Sequence, residues 1–316
     1  MRSAYVLMTA ALVGCGGGGR GAERPVGAER AALPFQVLRA RGGQVVPWDG
    51  FIAELAAADA VCIGEHHPNP HDHWAQLKLF RAVSERARGA GRSPGLGLEM
   101  FQRPFQGVVD DFVAGRIGEA ALLSRAAWKD RWGYDWSLYR PIVLYARERG
   151  AAILALNTER ELTKKVSRQG LAKMAPADRA RLPELVLDDP QHRSWWKGIM
   201  SGMGGAHGHS DDENHAPEKP DPEAAAADER IYAAQVLWDE TMADGASKWL
   251  AAGARRHIVI LAGNGHCHES AIVRRLERRG VKSVVSVRPI VDDGEGNVAQ
   301  LLAEPENDYL FVMSAR

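Results

Sequence analysis

Four short apolar runs in this chain each end in side chains that can carry a proton, bind a metal or hold a polar ligand. Ala60 to Ile63 runs into Gly64-Glu65-His66-His67, and Leu96 to Leu98 runs into Glu99-Met100. Ala152 to Leu156 runs into Asn157, and His257 to Leu261 runs into Gly263-Asn264-Gly265-His266. Carboxylates and imidazoles are the groups that exchange protons near neutral pH and ligate metal ions. If the runs are strands of one open parallel sheet, their carboxyl ends share an edge, and ligands bind in the crevice there. Glu65, Glu99, Asn157 and His266, remote along the chain, then converge, and the glycines let the backbone turn close to a ligand. Taken singly, each residue has a plainer reading: a strand-end glutamate often caps a helix or pairs with a cation, and one histidine can be structural. The coincidence of all four run ends points to a pocket.

The segment His66-His67-Pro68-Asn69-Pro70-His71-Asp72-His73 concentrates imidazoles beside that edge. Its two prolines forbid a helix until about Asp72, which leaves the histidines on a loop at the pocket mouth. There they can ligate a metal or haem iron, or bind propionates as cations. His66 is expected to face inward with the other histidines on the rim, and Asp72 to cap the following helix. Trp128, Trp132, Tyr134, Trp136 and Tyr139 form either an aromatic core or one wall of a pocket for a flat ligand. Tyr232, Gln235, Asp239 and Met242 share a helix face by their spacing. A buried Gln and Asp need partners, which the strand-end cluster would supply, while a core-only role for this face stays open. His207, His209 and His215 lie among Asp211, Asp212 and Glu213. Such a tract reads first as a solvated spacer and second as a metal scavenger.

The elements that must position these residues are strands and helices in alternation. Two further apolar runs, Ser283 to Val287 and Tyr309 to Met313, complete the strand candidates. Helix-length amphipathic segments cover Trp74 to Arg88, Trp136 to Arg149 and His268 to Arg279. Arg149-Gly150 and Arg279-Gly280 look like helix ends with glycine just beyond, each followed by a strand. This βαβ rhythm predicts an α/β fold, a mostly parallel sheet with helices on both faces. From about 159 to 250 the pattern is helical without a convincing strand, which predicts a helical insertion subdomain. Its centre, 202–223, is too rich in Gly, His, Asp and Pro to be ordered. Helical spacing resumes from Glu229 to Leu250.

Lys+Arg and Asp+Glu are 40 each in 316 residues, so no global field draws the chain to nucleic acid. Arg2 followed by the apolar run Ala4 to Val13 reads as an export signal over 1–14, ending in Leu12-Val13-Gly14-Cys15. This resembles a lipobox, which would leave Cys15 lipidated at the start of the mature chain and anchored to a membrane. Residues 15–33 form a flexible tether and 34–316 the folded part. Gly16, in place of an aspartate after the cysteine, predicts the outer membrane of a Gram-negative bacterium. No later apolar stretch is long enough to cross a bilayer. Cys62 and Cys267 are expected to be buried thiols, because Cys62 lies inside an apolar run, although an oxidising compartment permits a bridge.

Several stretches together resemble the ChaN-like haem-binding lipoproteins. They are Gly64-Glu65-His66, Gly97-Leu98-Glu99-Met100-Phe101-Gln102 with Pro104-Phe105-Gln106, Ala155-Leu156-Asn157, Ala234 through Ala243, and Gly263-Asn264-Gly265-His266. The resemblance runs from about Trp48 to Arg279 with the motifs in family order. It implies a parallel α/β domain plus a small helical one, haem binding, a role in haem and iron acquisition, and haem held between two protomers of a homodimer. The wider group includes erythromycin esterases and Tiki-type metalloproteases, with Glu-His and Gly-His elements at the same sheet edge. The candidate haem-site set is Glu65, His66, His67, Glu99, Asn157, Gln235, Asp239, Asn264, His266, Tyr139 and Tyr232. The iron-ligand candidates are His66, His266 and either Tyr139 or Tyr232, since a phenolate suits ferric iron. The tract at 202–223 is longer than the family pattern. A competing reading is a divalent-metal-dependent hydrolase, an esterase or peptidase using Glu65, His66, Glu99, Asp239 and His266 as ligands or general base. The chain has no Gly-x-Ser-x-Gly elbow for serine hydrolysis. A surface interaction protein with a vestigial pocket is the third possibility.

Overall fold

The computed structural model describes residues 31–204 and 222–314. The stretches read as an export signal and tether, apart from the tether's last residues, together with Cys15 and the histidines at 207, 209 and 215, lie outside the described residues.

The first half of the chain comprises β1 (Phe35–Arg39), α1 (Trp48–Ala57), β2 (Ala60–Ile63), α2 (Pro70–Gly89), β3 (Ser93–Gln102), α3 (Gln106–Val113), α4 (Glu119–Arg125), α5 (Trp128–Arg131), α6 (Trp136–Glu148) and β4 (Ala152–Asn157). Then come α7 (Arg160–Gln169), α8 (Pro176–Arg179), α9 (Pro190–Gly204) and α10 (Pro222–Ala251). The chain finishes with β5 (Arg256–Leu261), a π-turn at Glu269–Val273 leading into α11 (Arg274–Arg278), β6 (Val284–Asp292), α12 (Asn297–Ala303) and β7 (Tyr309–Ser314). The sheet order is β1-β7-β6-β2-β5-β3-β4, parallel throughout except for β1 against β7. All described elements between β4 and β5 are helical.

Alternation along the central strands builds two cores. Val61, Ile63, Val259 and Leu261 point to the side packed by α1, α2 and α6. Ala60, Cys62, Ile258 and Ile260 point to the side packed by α10 and α11. Successive strand side chains face opposite ways, so strands buried on both faces are apolar at every position. On β3 the second face is glycine: a Cβ at Gly95 would lie 2.7 Å from the Trp249 ring, so the missing side chain is what lets α10 approach. The sheet edges are also covered. Gln106 bonds the β4 backbone like a further strand, donating to the Ile153 carbonyl at 2.8 Å and accepting from the Ala155 N–H at 2.7 Å. At the other edge, Val46 N–H donates to the Val37 carbonyl at 2.8 Å and Arg39 N–H to that of Gln44 at 2.9 Å.

One strand, β1, is added to those anticipated, and two expectations are corrected. β1 carries no run long enough to stand out, because an edge strand of five residues needs little apolar pattern. Helix α2 begins at Pro70 rather than Asp72: the proline occupies the first turn, where its missing N–H costs nothing, and Asn69 caps the helix by accepting from the His71 N–H at 3.0 Å. Cys62 and Cys267 are not separate thiols but a disulfide, with Cα atoms 5.3 Å apart. Cys62 pairs in register with Ile260 on the neighbouring β5, and the loop leaving β5 brings Cys267 over the same face.

Candidate functional site

The carboxyl ends of β2, β3 and β5 do bring the anticipated side chains together, in two histidine–carboxylate pairs on either side of Glu99. The first pair follows β2. Glu65 is buried, and its Oε1 accepts from the Tyr139 hydroxyl at 2.9 Å and faces His67 Nδ1 at 2.7 Å. Its Oε2 accepts from the Gln76 amide at 2.9 Å, with His73 Nδ1 at 3.5 Å. Burial by itself would raise the Glu65 pKa, but the His73 and His67 imidazoles and the Gln76 amide outweigh it and hold the carboxyl below its ordinary value. His67 packs edge-on to Trp132 at 4.7 Å and against Tyr134 at 5.0 Å between ring centroids. Burial lowers its pKa, yet the Glu65 hydrogen bond and the charge of Glu99 carry it above the usual histidine value.

His67, not His66, is therefore the imidazole turned into the site. The His66 side chain is 60% exposed, and its backbone N–H is tied to Asp72 Oδ2 at 2.8 Å. Its Nδ1 lies 3.3 Å from that oxygen and 3.3 Å from the Asn264 amide nitrogen. Asp72 is thus a loop anchor within the first turn of α2 rather than its cap. His71 reaches the Ala31 carbonyl at 2.8 Å, and His73 is fully buried beneath the site.

The second pair follows β5. His266 Nδ1 and Asp239 Oδ1 are 2.6 Å apart, and His266 Nε2 lies 3.5 Å from Glu99 Oε1. The other Glu99 oxygen accepts the Gly263 N–H at 2.7 Å. Glu99 sits where the β3–β4 ladder loses register between Leu98 and Gln102, an irregularity of the kind that re-aims a side chain. Gln235 is also 3.2 Å from His266 Nδ1, but that nitrogen's proton belongs to the shorter Asp239 contact, and the amide donates to the Gly265 carbonyl at 3.0 Å. Burial depresses His266; the charge of Glu99 and the Asp239 bond reverse this and raise its pKa. Burial likewise raises Asp239, but Arg275 together with His192 and His266 takes it well below the carboxylate range.

Beneath Asp239 lies a layer that sequence reasoning missed. His192 Nε2 is 3.1 Å from Asp239 Oδ2, a close approach bent away from a linear hydrogen bond. Its Nδ1 is 3.1 Å from the Tyr232 hydroxyl, and Arg275 lies 3.7 Å from Asp239. The available signal was a histidine beside Trp195-Trp196 in a helical stretch, with nothing in the chain to pair it to Asp239. Gln76 was equally silent, and His73, expected on the rim, is instead buried one helical turn before it, where α2 packs on the sheet.

Tyr139 and Tyr232 are 2% and 1% exposed, with hydroxyls occupied by Glu65 and His192. Burial, first among the causes, raises both phenols above their ordinary pKa, so they sit in the site as neutral donors. Asn157 is buried at the end of β4 with an Oδ1 that has no hydrogen-bond partner. Asn264 Oδ1 is in the same state and fills the space above Gly64, where a Cβ would come within 2.1 Å of it. Trp238 stands edge-on to His266 at 6.0 Å. Among the described residues no group of three or more His, Cys, Asp or Glu side chains is arranged to hold a metal ion. Chemically, the arrangement presents two imidazoles, each fixed through Nδ1 by a buried carboxylate, beside aromatic walls.

A family model described as "Haem-binding uptake, Tiki superfamily, ChaN" matches residues 51–276. Among solved structures, ChaN of Campylobacter jejuni, described with cofacial haem binding, aligns with a TM-score of 0.64 at 18% identity, over 88% of this chain and 96% of that one. The type III effector HopBA1 aligns with a TM-score of 0.44 at 13% identity, over 90% and 98% of the two chains. An erythromycin esterase mutant in its open conformation gives 0.44 at 14%, over 89% and 83%. No curated protein matches the sequence.

Proposed function

The chain belongs to the ChaN family of haem-binding uptake proteins in the Tiki superfamily, and from that premise we propose that it binds haem at the carboxyl edge of its sheet, as a lipid-anchored protein serving haem and iron acquisition. The observation that carries this reading is the pair of imidazoles, His67 and His266, each held through Nδ1 by a buried carboxylate. An imidazole held in this way keeps Nε2 as its metal-facing nitrogen and becomes a better donor to it. Haem, when bound, supplies an iron that takes such a nitrogen and propionates that take cations. The donor set fits: His67 and His266 offer nitrogens, Trp132, Tyr134 and Trp238 offer flat apolar surface, and exposed His66 offers a further imidazole at the rim. Tyr139 and Tyr232 support the site from below, since their buried hydroxyls are already engaged.

The Cys62–Cys267 bridge supports passage into an oxidising compartment, in keeping with an export signal, acylation at Cys15 and an outer-membrane location. Cofacial haem binding, as described for C. jejuni ChaN, is the basis for extending the proposal to a homodimer formed across the haem site. Titration of the chain lacking residues 1–14 with haemin tests the reading. A saturable Soret shift, weakened in His67→Ala and His266→Ala, is expected, and its absence in the parent chain sinks the proposal. Light scattering with and without haemin checks the dimer.

A second reading rests on Glu99 standing between His67 and His266, both of which it pushes upward in pKa. A carboxylate flanked by two imidazoles suits general acid–base hydrolysis of an ester or peptide. Turnover of a model ester that disappears in Glu99→Gln would favour it.

A further inference from the structure

We propose that His192, delivered by α9 of the helical insertion, is a positioning residue that acts through Asp239 to hold His266 with Nδ1 bound and Nε2 turned toward Glu99. The consequence for haem rests on the haem-binding reading above; the geometry does not.

Two donors converge on one nitrogen of His192. The Tyr232 hydroxyl is 3.1 Å from Nδ1, and an Arg275 guanidinium nitrogen is 3.3 Å from it. Arg275 can only donate, so Nδ1 must be the acceptor and the ring's proton must sit on Nε2. Nε2 is the atom 3.1 Å from Asp239 Oδ2. Asp239 Oδ2 thereby faces a protonated ring nitrogen at a close but bent 3.1 Å approach, while Oδ1 takes the Nδ1–H of His266. The tautomers are set in sequence: Tyr232 and Arg275 fix His192, His192 fixes Asp239, and Asp239 fixes His266.

No other group can substitute for His192 in this role. Arg275 stays 3.7 Å from Asp239 because its other nitrogen is committed to the carbonyls of Ser270 and Ala271, at 2.8 and 3.0 Å. His192, Asp239, Tyr232 and Arg275 are each no more than 1% exposed, so these contacts form out of reach of bulk solvent. The start of α9 is itself pinned, with Asp189 accepting from the backbone N–H groups of Gln191 and His192 at 3.0 and 3.1 Å. Trp195 stacks on the ring from the same helix, centroids 5.4 Å apart. Within the insertion, α10 contacts the sheet-edge site directly through Gln235 and Asp239, and α9 reaches it through His192.

The test uses imidazole-nitrogen NMR of the ligand-free chain, at a pH where His266 is neutral, alongside haemin titration. In the wild type, His192 is expected to carry its proton on Nε2 and His266 on Nδ1. A proton on Nδ1 of His192 overturns the proposal with no variant needed. In His192→Leu the His266 ring is expected to populate both tautomers, and haemin to bind about tenfold more weakly with a shifted Soret band, as for loss of a partner behind a metal ligand. His192→Gln, which returns an N–H donor toward Asp239, is expected to restore both signatures. A folded His192→Leu with the wild-type His266 tautomer overturns the proposal. Correct tautomers in a chain that binds no haemin instead sink the haem reading and leave the positioning role standing.

Discussion

Tyr139 donates its hydroxyl to Glu65 Oε1 at 2.9 Å, which makes this phenol a support for the His67 carboxylate. Tyr139→Phe removes one donor from a buried carboxylate, a loss of about 1–3 kcal/mol in unfolding free energy. The Soret maximum of the haemin complex should not move. A variant that keeps its stability but loses the haemin spectrum would instead make the phenol an iron ligand.

The buried histidines set the pH dependence of stability. Burial pushes His257 down to about 4 and His268 down to about 3. Below about 6.5 the unfolded chain takes protons that these rings refuse, so each contributes a loss of up to about 1.4 kcal/mol per pH unit as pH falls toward its folded value. His67 and His266 have raised folded values, so their contribution is complete below about 6.5 and is lost as pH rises through those values. Urea unfolding across this range should show a steeper acid limb in the wild type than in His268→Gln. Equal slopes would contradict the assignment.

The disulfide closes a loop spanning 205 positions between two site-bearing segments. Replacing both Cys62 and Cys267 with Ala should lower unfolding free energy by about 4 kcal/mol, mostly through a freer unfolded chain. Because Cys267 follows His266 directly and Cys62 precedes Glu65 by three residues, haemin affinity should fall as well. A doubly substituted chain with the parent's urea midpoint would show the bridge to be dispensable.

Gly64→Ala should destabilise by about 1–3 kcal/mol, because its new methyl would overlap the Asn264 carbonyl oxygen. Asn264→Gly in the same chain should recover most of that loss, since two residues in contact couple strongly. Thermal melts of the two single variants and the double one measure it; simple additivity would mean the loops relax apart.

The strand ends were legible because a parallel strand buried on both faces writes itself as an uninterrupted apolar run, and the residue after such a run is placed by topology alone. That was enough to bring Glu65, Glu99, Asn157 and His266 to one edge. Which of His66 and His67 turns inward was not legible, since the choice is made by Glu65 on one side and by Asp72, a turn into α2, on the other. The disulfide was hidden for a similar reason: β2 and β5 are neighbours only once the sheet order is known. His192 had no local signature, because its partners Tyr232, Asp239 and Arg275 come from α10 and α11.

The side chain of Gln106 on β4, and the segment around Gln44 to Val46 beside β1, leave neither flank of the sheet with a free row of amide groups. Growth by adding a strand from another molecule is disfavoured at both edges, which protects the chain from polymerising. Any pairing of copies must then form through side chains on the faces or rim, where association can depend on what is bound.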